Sequence, residues 1–407
     1  MAAVRALVAA EMAERENCLV AFAPLMPLCV ARPTKDGRPS FPPRAMSLIW
    51  RALAARDSTL TYAVEQVRNH WGEEPPPIDP IDAACRTAAV ALREGAPDFA
   101  EATAMLNRAG PDGALEFAGY LDLAPLTRAL LPRLSDWLGR MTSERVAAAR
   151  LVYKDAVAIA DDAGPRLFEI IYAHLEPPWL ILRVVSAVMD RPGDRYMADS
   201  ELGLFGERVL DEIERRSAVV ARFDPAGGIM AGIEAGEALM VASAAINEFV
   251  HTLDLTPTGP WTGRIRKLKA ALAKTVENRL RDVDDAVGAA LPLQAAGFGV
   301  RLMRGAPRLT EDPDPRLVAK ASGLLSFFEL TRSTADQGGY GVARAKAAEK
   351  LNARLDQYIE DLLEGLRAED GTDHARIRAY LEVAADFMGA ASGEKAAQIV
   401  RRRIAAV

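Results

Sequence analysis

From Asp224 the sequence DPAGGIMAGIEAGEALMVASAAINEFVH runs to His251, and no proline interrupts it between Pro225 and Pro257. Asp224 suits a helix cap and Pro225 the first helical position. Ile229, Gly232, Gly236, Leu239, Ser243, Ile246 and Val250 recur at alternating spacings of three and four, which makes one helical seam. Glu234, Glu237 and Glu248 fall on the opposite side. Glycine costs a helix interior about 1 kcal/mol relative to alanine. Gly232 and Gly236 on a single seam therefore call for a neighbouring helix whose backbone comes close. The stretch predicts a long central helix in an all-α protein. Two other readings of the seam are a symmetric homodimer through this helix and a membrane helix pair. Small residues four apart mark the latter, but Glu234 and Glu237 disfavour a lipid-facing helix.

Composition supports that class. Half of the 407 residues are hydrophobic and 26% charged, enough for a sizeable core, while aromatics make up only 6%. That balance favours closely packed helices over sandwiches or barrels. A net charge of −6 argues against a nucleic-acid coat and leaves room for local basic patches. Cys18, Cys29 and Cys85 form no CxxC pair and are odd in number, so neither a disulfide framework nor a structural zinc site is expected. The N-terminal MAAVRALVAAEMAERE meets charge too soon for an export signal. The longest uncharged runs, Asn17–Ala31 and Ala286–Val300, are 15 residues each. A spanning helix needs roughly 20, so no membrane span is expected and the cytoplasm is the expected location.

Along the chain, helices are predicted over 1–22, Arg44–His70, from Asp79 to Gly95, Asp98–Arg108, Asp112–Leu123 and Pro125–Arg140. PTKDGRPSFPP, residues 33–43, reads as an irregular wrapping connector, and GEEPPPIDP as a stiff linker. Longer helices follow: Thr142–Asp161, Gly164 to Pro177, Trp179–Met189 buried nearly all round, Met197–Val220, the glycine-seam helix, and Gly259 to Ala290. Pro315–Thr331, Val342–Ala368 and a helix from Asp373 with a break at Gly393 finish the chain. No strand run and no fixed-period repeat occurs. The expected architecture is a multi-helix bundle or irregular helical array. Residues 1–141 would be a short-helix region with proline-rich connectors, and 142–407 a long-helix bundle.

Chemistry-bearing motifs are few. Glu248 and His251 stand one helical turn apart, as in half of a di-iron site. None of the other three histidines, His70, His174 and His374, follows a glutamate at that spacing, so no metal or cofactor is expected. Asp161-Asp162 and Asp282–Asp285 do not form the aspartate-rich motif that would hold magnesium and diphosphate. Gly297-Phe298-Gly299 and Gly338-Gly339-Tyr340-Gly341 lack a preceding strand and read as turns.

The most pointed feature is TGPWTGRIRKLKAALAK. Arg264, Arg266, Lys267 and Lys269 crowd the start of a helix whose end carries Asp282, Asp284 and Asp285, and both placements oppose the macrodipole. The four cations are the candidate anion- or partner-binding residues, and Gly232 and Gly236 the close-packing ones. With no catalytic constellation in a histidine-poor chain, the expected function is that of a non-enzymatic scaffold, adaptor or regulator acting through protein contacts. The alternative is a helical-bundle enzyme or carrier with an anionic or apolar ligand between helices, lined by Trp179–Met189, Met230 and Met240.

Overall fold

The computed structural model describes residues 2–69, 78–139, 142–189, 193–294, 305–367 and 373–406. The protein is all-α. Among the described residues there is no strand, only isolated bridges from Cys29 to Phe41, Gly193 to Asp254 and Leu293 to Pro307. Two compact units form, one from Met1–Val209 with Glu248–Thr256, the other from Leu210–Asn247 with Pro257–Val407. The boundary expected at residue 141 lies outside the described residues.

The first unit contains α1 (Ala2–Ala21), α2 (Arg44–Arg56), α3 (Ser58–Asn69), α4 (Asp79–Arg93), α5 (Ala100–Leu106), α6 (Gly113–Leu130), α7 (Leu134–Leu138), α8 (Ser143–Ile159), α9 (Ala163–His174), α10 (Ile181–Val188) and α11 (Asp194–Ala198). Two longer helices, α12 (Gly203–Arg222) and α13 (Gly228–Thr252), contribute residues to both units. The second unit adds α14 (Thr262–Ala290), α15 (Pro315–Leu330), α16 (Ala335–Gly338), α17 (Gly341–Arg367), α18 (His374–Ser392) and α19 (Glu394–Ala405).

Two expected helix boundaries move. The single helix predicted over Arg44–His70 is two, because Asp57 leaves the helical region (φ −145) and its carboxylate accepts the Leu60 N–H at 2.9 Å, capping α3. Pro125 does not divide the helix that follows Asp112; it sits inside α6. Its ring removes one N–H, and the burial of Phe117, Tyr120, Leu121, Leu123 and Ala124 holds the helix across it. The small face of α4 (Ala84, Cys85, Ala88, Ala89, Ala91) is buried against α6. The proline-rich connector wraps as expected and delivers Phe41 edge-on to Phe117, ring centroids 4.9 Å apart. Backbone bonds pin it there, Val30 N–H to Phe41 O at 3.0 Å and Phe41 N–H to Leu28 O at 2.8 Å. Burying such a ring contributes ~1.5–3 kcal/mol. α10 shows one broad buried face (Ile181, Leu182, Val184, Val185, Ala187) rather than burial all round.

The α13 region refines the seam. Asp224 does accept a backbone N–H, from Ala226 at 3.0 Å, but Pro225–Gly227 is a 3-10 turn. Gly228, at φ +71, separates that turn from the α-helix. The seam is buried from Gly232 to Ile246, while Ile229 and Val250 at its ends are exposed. Ala235, Ala238, Ala242, Ala245 and Phe249 are buried too, so the covered band is wider than one seam. The neighbour of Gly232 and Gly236 is α15. A Cβ on Gly232 would lie 2.1 Å from the Gly323 carbonyl oxygen, and one on Gly236 2.7 Å from Leu330 Cβ. Gly323 returns the constraint, since its Cβ would lie 2.7 Å from Pro225 O.

Pro225–Thr252 is also, among the described residues, the one helix long and apolar enough to cross a membrane, with mean hydropathy 1.5 and half of its apolar window buried in the protein. The length of its uncharged runs does not reveal it, because Glu234 and Glu237 break the run while the apolar residues around them keep the average high. The core helix of a soluble protein passes the same test.

In the second unit, Asp314 accepts the Arg316 N–H at 2.8 Å to cap α15, and Asp373 the Arg376 N–H at 3.2 Å to cap α18. The break expected at Gly393 is present, at φ +97. Leu351, Leu355, Ile359, Leu362, Ile377 and Leu381 make the α17–α18 core.

Candidate functional site

The inward face of α14 is Ile265, Leu272, Val276, Leu280, Val283 and Val287, a 3.6-residue periodicity that fixes which residues look outward. The four cations expected to act together are divided by that geometry. Arg264 turns back onto α12, its Nε donating to Glu214 at 2.5 Å and its Nη2 to Asp211 at 2.8 Å. The hydrogen bond from Arg264 holds the Glu214 carboxyl below the usual range. Arg266, Lys267 and Lys269 are exposed, and among the described residues no carboxylate pairs with them. Lys274, one further turn along, is exposed as well. The sequence GRIRKLKAALAKTV thus presents a cationic surface over the first half of α14, with its one internally neutralised member at the edge.

The acidic end of α14 is compensated from elsewhere. Asp284 is buried and receives Lys350 Nζ at 2.8 Å and Arg354 Nε and Nη2 at 2.8 and 2.9 Å, all from α17. Burial pushes its carboxyl up, but those two cations outweigh burial and leave it below the usual range. The sequence did carry a signal for this group. Asp284 occupies the buried face between Leu280 and Val287, and Lys350 and Arg354 are spaced i, i+4 on α17. Asp282 is partnered locally by Arg279 at 3.3 Å.

On either side of the Asp284–Lys350 pair the surface between α14 and α17 opens into a depression. One, of about 450 Å³, has an apolar floor of Leu280, Ala343 and Ala347 and a rim including Arg281, Asp285 and Lys346. The other, of about 370 Å³, is lined by Leu291, Leu293, Tyr358 and Gln357. The Tyr358 hydroxyl is buried with no hydrogen-bond partner among the described residues. A third depression, about 520 Å³ and polar, lies on the other flank of α14 between Ala221 and Arg281.

The remaining expected sites resolve as follows. Glu248 does not face solvent opposite the seam. It is bound by Arg183 through Nε at 2.6 Å and Nη2 at 2.7 Å, and by the Thr252 hydroxyl at 2.6 Å. His251 beside it is exposed, as is His374. His174 is half-buried, desolvation lowers its pKa, and it lies 2.8 Å from Pro24 O. His70 lies outside the described residues, as does Gly297-Phe298-Gly299. Among the described residues no group of three His, Cys, Asp or Glu could hold a metal. Cys18, Cys29 and Cys85 are buried, and burial pushes each thiol up to about 12. Met230 and Met240, expected to line an apolar pocket, are 73% and 37% exposed, because the α13 face that carries them is not the one α15 covers. Asp162 pairs with Arg166 at 2.6 Å, and Gly338-Gly339-Tyr340-Gly341 is the turn between α16 and α17, with Gly339 at φ +78. No protein-family model, curated protein or solved structure matches the chain, so its function has to be argued from these side chains.

Proposed function

We propose that this protein is a non-enzymatic helical adaptor or regulator of the cytoplasm that holds an acidic segment of a partner protein on the first half of α14. The observation that carries this reading is the exposed set Arg266, Lys267, Lys269 and Lys274, unpaired with any carboxylate among the described residues of a protein with net charge −6. Elsewhere in the second unit, arginines such as Arg264, Arg354, Arg376 and Arg403 are spent on internal carboxylates. Cations on adjacent turns of a rigid helix steer an acidic chain and fix its register, an attraction screened over about 8–10 Å at ordinary ionic strength.

The test is the variant Arg266→Gln/Lys267→Gln/Lys269→Gln, with Arg264 kept so that Asp211 and Glu214 stay neutralised. Wild type and variant are compared by cross-linking and affinity capture from native cells at low and high salt. A partner with an acidic segment that is recovered by wild type and lost both in the variant and in salt supports the reading, provided the melting temperature is unchanged. Equal recovery by the variant removes α14 from consideration.

The depressions beside Asp284 favour a second reading, a carrier for a small amphipathic ligand laid between α14 and α17. Its support is the Tyr358 hydroxyl, a buried donor with nothing to bond among the described residues, a state that costs ~1–3 kcal/mol unless a ligand or water relieves it.

A further inference from the structure

Arg344, in the first turn of α17, is placed unlike the other well-held arginines of the second unit. Its guanidinium lies over the Phe328 ring, 4.7 Å from the centroid, and its Nε donates to Thr331 Oγ1 at 3.2 Å. Those two contacts fix the plane and direction of the group. Its terminal Nη groups have no hydrogen-bond partner and no carboxylate within ion-pair distance among the described residues. The strongest charge acting on Arg344 is the like charge of Arg332, which is exposed and, among the described residues, also pairs with no carboxylate. Burial and that like charge together lower its pKa, the opposite of what ion pairing does to Arg183, Arg376 and Arg401.

The loop that brings the two arginines together is firmly built. The Thr334 and Tyr340 hydroxyls bond each other, Thr331 Oγ1 donates to Phe328 O at 2.6 Å, and Gly339 makes the turn at φ +78. Gly338 must lack a side chain, because a Cβ there would lie 2.1 Å from Tyr340 Cε1. α17 then begins at Gly341 and runs 27 residues, so its N-terminal N–H groups and dipole add to the positive potential. Val342 is 88% exposed, leaving this helix start open to solvent. Asp336 is the carboxylate nearest that start, 3.0 Å from where a Gly341 Cβ would be, yet it pairs with neither arginine.

We infer that Arg332 and Arg344, with the opening turn of α17, form a binding site for a phosphate-type oxyanion. A stacked guanidinium with its forked donors free matches the geometry of phosphate oxygens, and a second cation beside it offsets the dianion. Neither arginine belongs to the α14 cations or lines the depressions beside Asp284.

The experiment is a titration of the full chain with inorganic phosphate at constant ionic strength, chloride serving as the reference anion, followed by calorimetry and by amide chemical shifts. Wild type is expected to bind phosphate over chloride with shifts at the start of α17. Arg344→Gln is expected to lose roughly tenfold or more in affinity, as removal of a charged hydrogen-bonding partner does. Arg332→Gln, at an exposed position, should do the same without touching the fold, which keeps the test decisive if Arg344→Gln unfolds. Asp336→Asn should tighten binding by removing the competing carboxylate, and Lys269→Gln should leave it unchanged. A phosphoserine peptide binding more tightly than inorganic phosphate identifies a phosphorylated segment as the source of the anion; equal affinity identifies a free phosphate group. No preference for phosphate over chloride in wild type overturns the inference. So does wild-type affinity in both Arg332→Gln and Arg344→Gln.

Discussion

Replacing Gly232 with alanine adds a single methyl group, and the structure sets what that group meets. The new Cβ would lie 2.1 Å from the Gly323 carbonyl oxygen, 3.0 Å from its carbon and 3.1 Å from Ser326 Cβ. An ordinary carbon–oxygen contact is about 3.3 Å, so α13 and α15 must part by roughly 1.2 Å at this point. The obstacle is backbone, with no side chain to rotate away, and the space around Gly323 is equally tight, since a Cβ there would lie 2.7 Å from Pro225 O and 2.9 Å from Gly228 O. A gap of 0.5–1 Å already forfeits about a quarter to a half of each dispersion contact across it. Overpacking of this kind costs about 1–3 kcal/mol, and alanine's helix propensity returns about 1 kcal/mol of it.

The net expectation is destabilisation of up to about 2 kcal/mol, which lowers the melting temperature by up to about 8 °C for a unit of this size. Gly236→Ala should destabilise as well but less, because Leu330 Cδ1 at 2.5 Å can turn away while Leu330 Cβ at 2.7 Å can yield only with the α15 backbone. Gly263→Ala should be neutral or stabilising, since nothing lies within 4 Å of a Cβ there. Thermal denaturation followed by far-UV circular dichroism measures all three. If Gly232→Ala melts at or above the wild-type temperature while Gly263→Ala does not differ from it, α13 and α15 do not approach as described and the seam argument fails.

Asp284→Asn should flatten the acid limb of stability. The Asp284 carboxyl is held below its ordinary value in the folded state, so its contribution is fully present above the unfolded-state pKa and fades as pH falls through the folded one. Urea denaturation at neutral and acid pH should therefore show the variant weaker at neutral pH, with the difference shrinking toward acid; a constant difference would mean the pair is not linked to protonation. For the carrier reading, native mass spectrometry of the freshly purified protein should reveal a small amphipathic molecule that is released on denaturation and absent from Leu293→Trp, which narrows the depression that Tyr358 lines. A bare chain mass for wild type would refute that reading.

Much of the helical framework is legible in local residue patterns, and particular elements show why. Asp314-Pro315, Asp373 and Gly393 mark helix limits through interactions a few residues long, and all three act where the pattern places them. Asp57 and Pro125 mislead in opposite directions. Whether a polar residue breaks a helix, or a proline is tolerated inside one, depends on what burial offers in exchange, and α6 buries Phe117 and Tyr120 around Pro125. The α14 cluster was visible as charge against the macrodipole. Only the α12 carboxylates reveal that Arg264 is internal while Arg266, Lys267 and Lys269 are outward.

The amino-acid sequence by itself determines the all-α class, the wrapping connector, and the need for a close neighbour along Gly232 and Gly236. These follow from periodicity, prolines and missing side chains, properties carried by each segment alone. The tertiary structure decided that α15 is that neighbour, that Asp284 meets Lys350 and Arg354, that Glu248 is claimed by Arg183, and that Arg344 pairs with no carboxylate among the described residues. Those outcomes join residues tens of positions apart. Helical spacing fixes which way a side chain points, but only packing fixes what stands opposite it.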